Sequence, residues 1–178
     1  MKTAIRNAIA ALALASVAMA GEPLTVAQKS KVEAKLASIK GWGSEAAIVS
    51  GVKERNANPS AKDMTQEKWK GLSVVDPLVR GFTQNAVAAW LKAHKDPSMA
   101  EIFVSGNDGT KVAFTAKTSN WSHKGKAKHD VPMTGKTWIG EAEMDESTGQ
   151  KEVQVSFPVL DGGKAVGTVV VGLSLFKL

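Results

Sequence analysis

The spacing of apolar residues changes midway along the chain, and this change constrains the fold more than any other feature. Over residues 25–93 the apolar positions recur every three or four residues, as at Val32, Leu36 and Ile39, which is the spacing of an amphipathic helix. From residue 99 onward they alternate with polar residues in short runs bounded by turn signals, which is typical of β-strands. Helices followed by strands predict an α+β fold rather than an alternating α/β fold.

Local signals predict four helices in the first half. Thr25 and Gln28 form a capping box, and Ser44-Glu45 is a second start signal. A third helix is expected from Asp63 to Leu72. The fourth begins at Asp76-Pro77, a cap residue followed by proline at the first helical position. We expect it to run to about residue 93 and to bury Leu78, Phe82, Ala86 or Ala89, and Trp90.

The second half predicts five antiparallel strands joined mostly by hairpins. Asn107-Asp108-Gly109 and Asp161-Gly162-Gly163 provide turn residues that tolerate positive φ. The last strand is apolar on both faces, so it should be central or covered. Helices must then cover at least one face of the sheet. The expected strands are "EIFVS", "KVAFTA", "TWIGEAEMD", "KEVQVSFPVL" and "KAVGTVVVGLSL".

A long connection, residues 117–136, separates the second and third of these strands. Connections of this length in a compact domain are generally functional or disordered. The apolar residues here, among them Trp121, Val131 and Met133, are untypical of disorder. We therefore expect the segment to close over the sheet and to wall a small-molecule pocket lined by Trp121 and Trp138. Burial of these two tryptophans as ordinary core residues is the alternative.

The N-terminus, residues 1–20, predicts a secretory signal peptide. Lys2 and Arg6 precede an apolar stretch shorter than a membrane span, and an Ala-Met-Ala sequence ending at Ala20 suits signal peptidase. We expect cleavage after Ala20, export to the periplasm, and one soluble domain over residues 21–178 without later membrane insertion. The lack of cysteine favours a periplasmic protein and excludes thiolate chemistry and cysteine-ligated zinc.

Four short motifs in the second half occur in the order and spacing of a known family. Residues from about 63 to 176 resemble the Cache domains, extracellular PAS-like sensors also called PDC sensor domains. The resemblance implies a PAS-like sheet, a pocket-side aromatic at Trp121 and a turn near the pocket at Asp145. It also implies a sensor function, with a membrane sensor protein as the expected partner. The motifs are Asn107-Asp108-Gly109, Thr118-Ser119-Asn120-Trp121, Asp145-Glu146-Ser147-Thr148, and Phe157-Pro158-Val159 through Gly172.

Basic residues stand where this family commonly has an acidic segment. His123 and His129, with Lys124, Lys126 and Lys128, predict a positive field suited to an anion such as a carboxylate. We expect the histidines to gain charge in mild acid. A solvated charged loop is the alternative. A metal site is not expected, because the histidine spacing fits no standard pair of ligands.

Three further residues complete the predicted site: Asn120, Arg80 and Asp145. Arg80 could clamp a carboxylate with two hydrogen bonds or could be an ordinary exposed helical arginine. Asp145 could accept a hydrogen bond from a ligand amine or could only stabilise its turn.

The sequence therefore predicts a sensor domain that binds a small, anionic metabolite. The alternative is a protein-interaction module that acts with a sensor kinase or chemoreceptor and has no ligand of its own. Catalysis is not expected, because no serine has a G-x-S-x-G setting, and no cofactor is expected. The chain carries a net charge of +6, but its lysines form no clustered stripe, so nucleic acid is not an expected partner.

Overall fold

The structure is a computed structural model that describes residues 21–144 and 150–178. The expected signal peptide and Asp145 lie outside these residues. A 3-10 helix, Lys40–Ser44, follows the first α-helix. The α-helices are α1 Val26–Ile39, α2 Ala46–Ala57, α3 Gln66–Gly71, α4 Pro77–Gln84, α5 Ala86–His94 and α6 Ala127–Met133. The strands are β1 Met99–Gly106, β2 Lys111–Phe114, β3 Trp138–Met144, β4 Lys151–Asp161 and β5 Lys164–Ser174.

The strands form one five-stranded antiparallel sheet in the order β2-β1-β5-β4-β3. The predicted α+β fold with a PAS-like antiparallel sheet is therefore confirmed. β5 pairs with β1 on one side and with β4 on the other. The last strand is thus central, as its apolar composition on both faces predicted. No helix in the described ranges is both long and apolar enough to cross a membrane.

The first face of the sheet packs against α1, α2 and α5. The helical stripe predicted on α1 is buried in this core, as are Ile48 and Val52 of α2. The strands contribute side chains that alternate along each of them, including Ile102, Val104, Val153, Val155, Phe157, Val169 and Val171. This face provides the apolar burial that holds the helical half onto the sheet.

The 3-10 helix approaches β4 closely because it contains a glycine at the point of contact. A Cβ atom added to Gly43 would lie 2.0 Å from the carbonyl oxygen of Pro158. No other residue type fits this position without movement of the backbone. The contact fixes the turn between α1 and α2 on the sheet.

The second face of the sheet is partly apolar and partly polar. Phe103 and Val170 join an aromatic cluster with Trp69, Phe82 and Trp121. Several other positions on this face are polar, and the segment 117–136 covers them, with α6 in contact with β3, β4 and β5. The backbone of this segment therefore runs over the sheet, as predicted.

The single helix predicted after Asp76 is wrong, because Asn85 divides it into α4 and α5. The Asn85 side chain accepts a hydrogen bond from the Ala88 N–H at 2.9 Å and donates one to the Val112 carbonyl at 2.8 Å. The break shifts the buried face of the second part. Ala86 and Ala89 are exposed and Leu78 and Trp90 are half-buried, whereas the buried residues are Val79, Phe82, Val87, Ala88 and Leu91.

The other helix starts agree with the sequence to within a few residues. The capping box of Thr25 and Gln28 is present. α3 begins two residues later than a helix capped by Asp63 would, because Thr65 caps it by accepting from the Lys68 N–H.

Candidate ligand-binding site

Six polar side chains, three of them buried and three half-buried, lie together between the second face of the sheet and the segment 117–136. We call this group the loop-side cluster. β1, β2 and β4 each contribute one residue, and the covering segment contributes three. The members are Glu101, Lys111, His123, Lys128, His129 and Gln154.

Lys111 and His123 form the centre of the loop-side cluster. The Lys111 Nζ lies 2.6 Å from the His123 Nδ1, and it lies 4.1 Å from the centroid of the Phe103 ring. The imidazole stacks on the same phenyl ring at 4.7 Å between centroids. Lys111 is 0% exposed and His123 is 3% exposed. The lysine amine and the imidazole ring thus share one buried hydrogen bond.

Burial sets the charge states of this pair. Desolvation lowers the pKa of Lys111 well below its ordinary value, and Lys128 and Lys126 lower it further, whereas Glu101 raises it. Desolvation, followed by the charge of Lys111, lowers the pKa of His123 from 6.5 to about 2. The expectation that His123 gains charge in mild acid is therefore wrong.

A second chain of contacts crosses the sheet. Lys128 donates to the Gln154 side-chain oxygen, and the Gln154 amide donates to the Glu101 carboxylate. Gly172 of β5 lies between them, and a Cβ atom there would lie 2.8 Å from the Glu101 Cγ. The glycine thus leaves space for side chains from both neighbouring strands.

His129 of α6 is also buried, at 2% exposure. Its Nδ1 lies 3.2 Å from the Thr168 Oγ1 of β5. Burial lowers the pKa of His129, and a hydrogen bond with the backbone of Asn107 opposes this shift. The contact of His129 with Thr168 holds α6 on β5, the central strand.

Two buried serine hydroxyls lie on the same face. Ser105 pairs across the strands with Lys111 and Thr168, and Ser156 pairs with Val170 and Trp138. Neither Oγ atom has a hydrogen-bond partner among the described residues. Buried hydroxyl groups normally have partners, so these two mark positions where hydrogen-bonding capacity remains.

The structure brings some of the predicted residues into the loop-side cluster but not Trp121. His123 and His129 belong to it, and Trp138 is half-buried on β3 opposite Ser156. Trp121 instead packs in the aromatic cluster, with its ring centroid 5.1 Å from that of Trp69. This is the core position that was the alternative for Trp121.

The remaining predicted residues lie at or beyond the margin of the cluster. Lys126 is exposed before α6, and its charge lowers the pKa of His123. Asn120 is half-buried, and its amide donates to the Ser119 hydroxyl. Arg80 is exposed on α4. Asp145 lies outside the described residues, so its role stays a prediction.

Sequence reasoning missed Lys111, although it is the most buried cation of the cluster. Strict alternation along β2 would place it on the same face as Ala113. An irregularity in the pairing of β1 with β2 instead places Lys111 opposite Ser105, while Phe114 lies opposite Phe103. A bulge of this kind changes which face a side chain occupies, and no signal in the sequence of β2 reveals it. The described residues include no group of three side chains that could hold a metal ion.

No protein-family model matches the chain, and no curated protein matches it. Several solved structures do. The sensor domain of the Vibrio cholerae histidine kinase DctB is 12% identical, with a TM-score of 0.49, over 84% of this chain and 52% of that one. The ligand-binding domain of the Campylobacter jejuni chemoreceptor Tlp3, in complex with L-norvaline, is 13% identical, with a TM-score of 0.42, over 83% and 54%.

The ligand-binding domain of the Pseudomonas aeruginosa PAO1 amino acid chemoreceptor PctC, in complex with GABA, is 17% identical, with a TM-score of 0.38, over 82% of this chain and 62% of that one. The chain thus spans about half the length of the DctB and Tlp3 domains. All three are sensor or ligand-binding domains, the class of protein that the sequence resembles.

Proposed function

We propose that this chain is a Cache-like sensor domain that binds a small anionic molecule at the loop-side cluster. The observation that carries the proposal is the pair of buried, unpartnered hydroxyls of Ser105 and Ser156 on either side of a central strand. Leaving a buried hydroxyl unpaired costs about 1–3 kcal/mol. A polar ligand that bonds both hydroxyls would recover this free energy.

Electrostatics favours an anion over a cation or a neutral molecule. Burial lowers the pKa of both Lys111 and Lys128, the carboxylate of Glu101 opposes this shift, and the positive charge of Lys126 adds to it. A carboxylate beside Lys111 would stabilise the ammonium form and raise its pKa. The carboxylate class follows from this charge balance, together with the resemblance to Cache domains.

A thermal-shift screen of small carboxylates, amino acids and other organic anions tests the proposal. Wild-type protein should be stabilised by about 2.7 kcal/mol at a hundredfold excess over Kd. Lys111→Met keeps most of the side-chain volume and removes the charge, so it should fold and lose the response. Lys124→Met changes an exposed lysine of the segment 117–136 and should respond as wild type does.

Two outcomes would overturn the proposal. One is a melting temperature that no anion in the screen raises, which would favour the alternative of an interaction module without a ligand. The other is an equal response of wild type and Lys111→Met to the same anion.

We propose further that the protein is exported after cleavage of a signal peptide and signals through a membrane sensor protein. The positive start, the apolar stretch and the Ala-Met-Ala sequence support this location. Mass spectrometry of the protein from a periplasmic fraction should give a mature N-terminus at Gly21. An intact N-terminal methionine on the soluble protein would contradict cleavage.

A further inference from the structure

A cleft of about 540 Å³ lies at the β2 edge of the sheet, among α2, α4, α5 and β2. None of the loop-side cluster residues lines it. Its walls are largely apolar and include Leu78, Phe82, Val87 and Val112. Its two charged residues are Arg55 and the exposed Glu54. The volume is within the range of small-molecule sites, which combine apolar walls with a few polar groups.

Arg55 is an unusual residue for such a wall, because it is a buried cation at 9% exposure. Its Nε donates to the Lys111 carbonyl at 3.1 Å, and its Nη2 donates to the Thr110 hydroxyl at 2.7 Å and the Ser60 carbonyl at 3.2 Å. All three acceptors are uncharged.

No carboxylate in the described ranges forms an ion pair with Arg55 within 4.0 Å. Nor does its Nη1 donate a hydrogen bond to any described residue. Desolvation lowers the pKa of Arg55, and the more distant charge of Asp108 opposes the shift. A buried guanidinium without a close counter-ion is costly, and an anion in the cleft would reduce that cost.

We propose that this cleft is a second binding site, for an amphipathic anion such as a medium-chain carboxylate. The acid group would accept hydrogen bonds from the Arg55 Nη1, and the hydrocarbon chain would lie against the apolar walls. Arginine suits this role because it presents several donors in a fixed plane and keeps its charge when buried. The site does not depend on the loop-side cluster and is additional to the proposed function.

Gly81 allows a test that spares the core. It is an exposed residue of α4 that lines the cleft, and a Cβ atom added to it meets nothing within 4 Å. Gly81→Leu should therefore fold, should favour the helix, and should fill part of the cleft. Gly71→Leu is the matched control, since Gly71 is also exposed and helical, has equal space for a Cβ atom, and does not line the cleft.

Isothermal titration calorimetry with octanoate and its uncharged analogue octanamide measures the binding. Octanoate should bind wild type and Gly71→Leu with Kd values within about twofold of each other. Gly81→Leu should weaken octanoate at least about tenfold, and octanamide should bind wild type at least about tenfold more weakly than octanoate.

Three results would each overturn the proposal. They are no saturable octanoate binding to wild type up to about 10 mM, equal octanoate affinity in wild type and Gly81→Leu, and equal affinity of wild type for octanoate and octanamide. Octanoate that bound at the loop-side cluster instead would also give equal affinities in wild type and Gly81→Leu, because Gly81 lies on α4 and does not belong to that cluster.

Discussion

His123 should make the stability of the protein depend on pH, because it is a histidine that folding keeps neutral. Burial and the nearby positive charges of Lys111, Lys128 and Lys126 lower its pKa from 6.5 to about 2. Between these two values the unfolded chain binds a proton on His123 that the folded chain does not bind. The free energy of unfolding must therefore fall as the pH falls through this window.

The size of this fall in the free energy of unfolding follows from the width of the pH window between the two pKa values of His123. One proton of difference changes the free energy of unfolding by up to ~1.4 kcal/mol per pH unit. Between about pH 7 and pH 5 the loss from His123 alone is about 2 kcal/mol, and over the full window it is about 6 kcal/mol. Domains of this size are stable by about 5–15 kcal/mol, so this one side chain should contribute a large part of the sensitivity to acid.

His123→Gln tests this reasoning. Glutamine keeps an acceptor for the Lys111 amine and does not titrate. Loss of stacking on Phe103 lowers stability equally at both pH values, so it cancels when the pH dependence is compared. Urea unfolding at about pH 7 and pH 5, followed by tryptophan fluorescence, gives both free energies.

Wild type should lose about 2 kcal/mol more than His123→Gln between the two pH values. That difference corresponds to a shift of about 1 M in the urea midpoint. His129 has a lowered pKa in both proteins, so its contribution cancels. The same pH dependence in both proteins would refute the assignment of His123 as a buried neutral base.

Two pairs of substitutions test the packing and the unpartnered hydroxyls. Gly43→Ala should cost at least about 2 kcal/mol because the new methyl group meets the Pro158 carbonyl, whereas Gly41→Ala, which meets nothing within 4 Å, should change stability by less than about 0.5 kcal/mol. Equal urea midpoints for these two variants would contradict the close contact of the 3-10 helix with β4. Ser105→Ala and Ser156→Ala should leave the free protein as stable as wild type or up to about 1 kcal/mol more stable, since no hydrogen bond is lost. A loss of more than about 1 kcal/mol in thermal melts of either variant would show that the hydroxyl is paired.

The sequence predicted those parts of the fold that local patterns determine. The alternation in β4 and the two apolar faces of β5 identified a central strand, because side-chain period and burial are properties of the strand itself. The capping signals at Thr25 and Asp76 identified helix starts, because the cap residue bonds backbone only a few residues away.

The features that the sequence did not predict depend on distant contacts. Asn85 ends α4 partly by bonding Val112, which is 27 positions away in the chain. α6 contains Pro132 and has no side-chain cap, so its packing on the sheet, not its intrinsic propensity, stabilises it. Lys111 lies on the same face of the sheet as the loop-side cluster because the pairing of β1 with β2 is irregular. His123 and His129 were predicted to line a ligand site, and that role stays a prediction. Their lowered pKa values were not predicted, because those depend on burial.

The central place of β5 has a consequence for biosynthesis. Its partners β1 and β4 are made earlier, yet they cannot hydrogen-bond to each other, because β5 lies between them. A nascent chain that does not yet extend beyond residue 164 therefore cannot form the complete five-stranded sheet. Before β5 is made, β1 can pair with β2 and β3 with β4, but these two hairpins cannot join into one sheet.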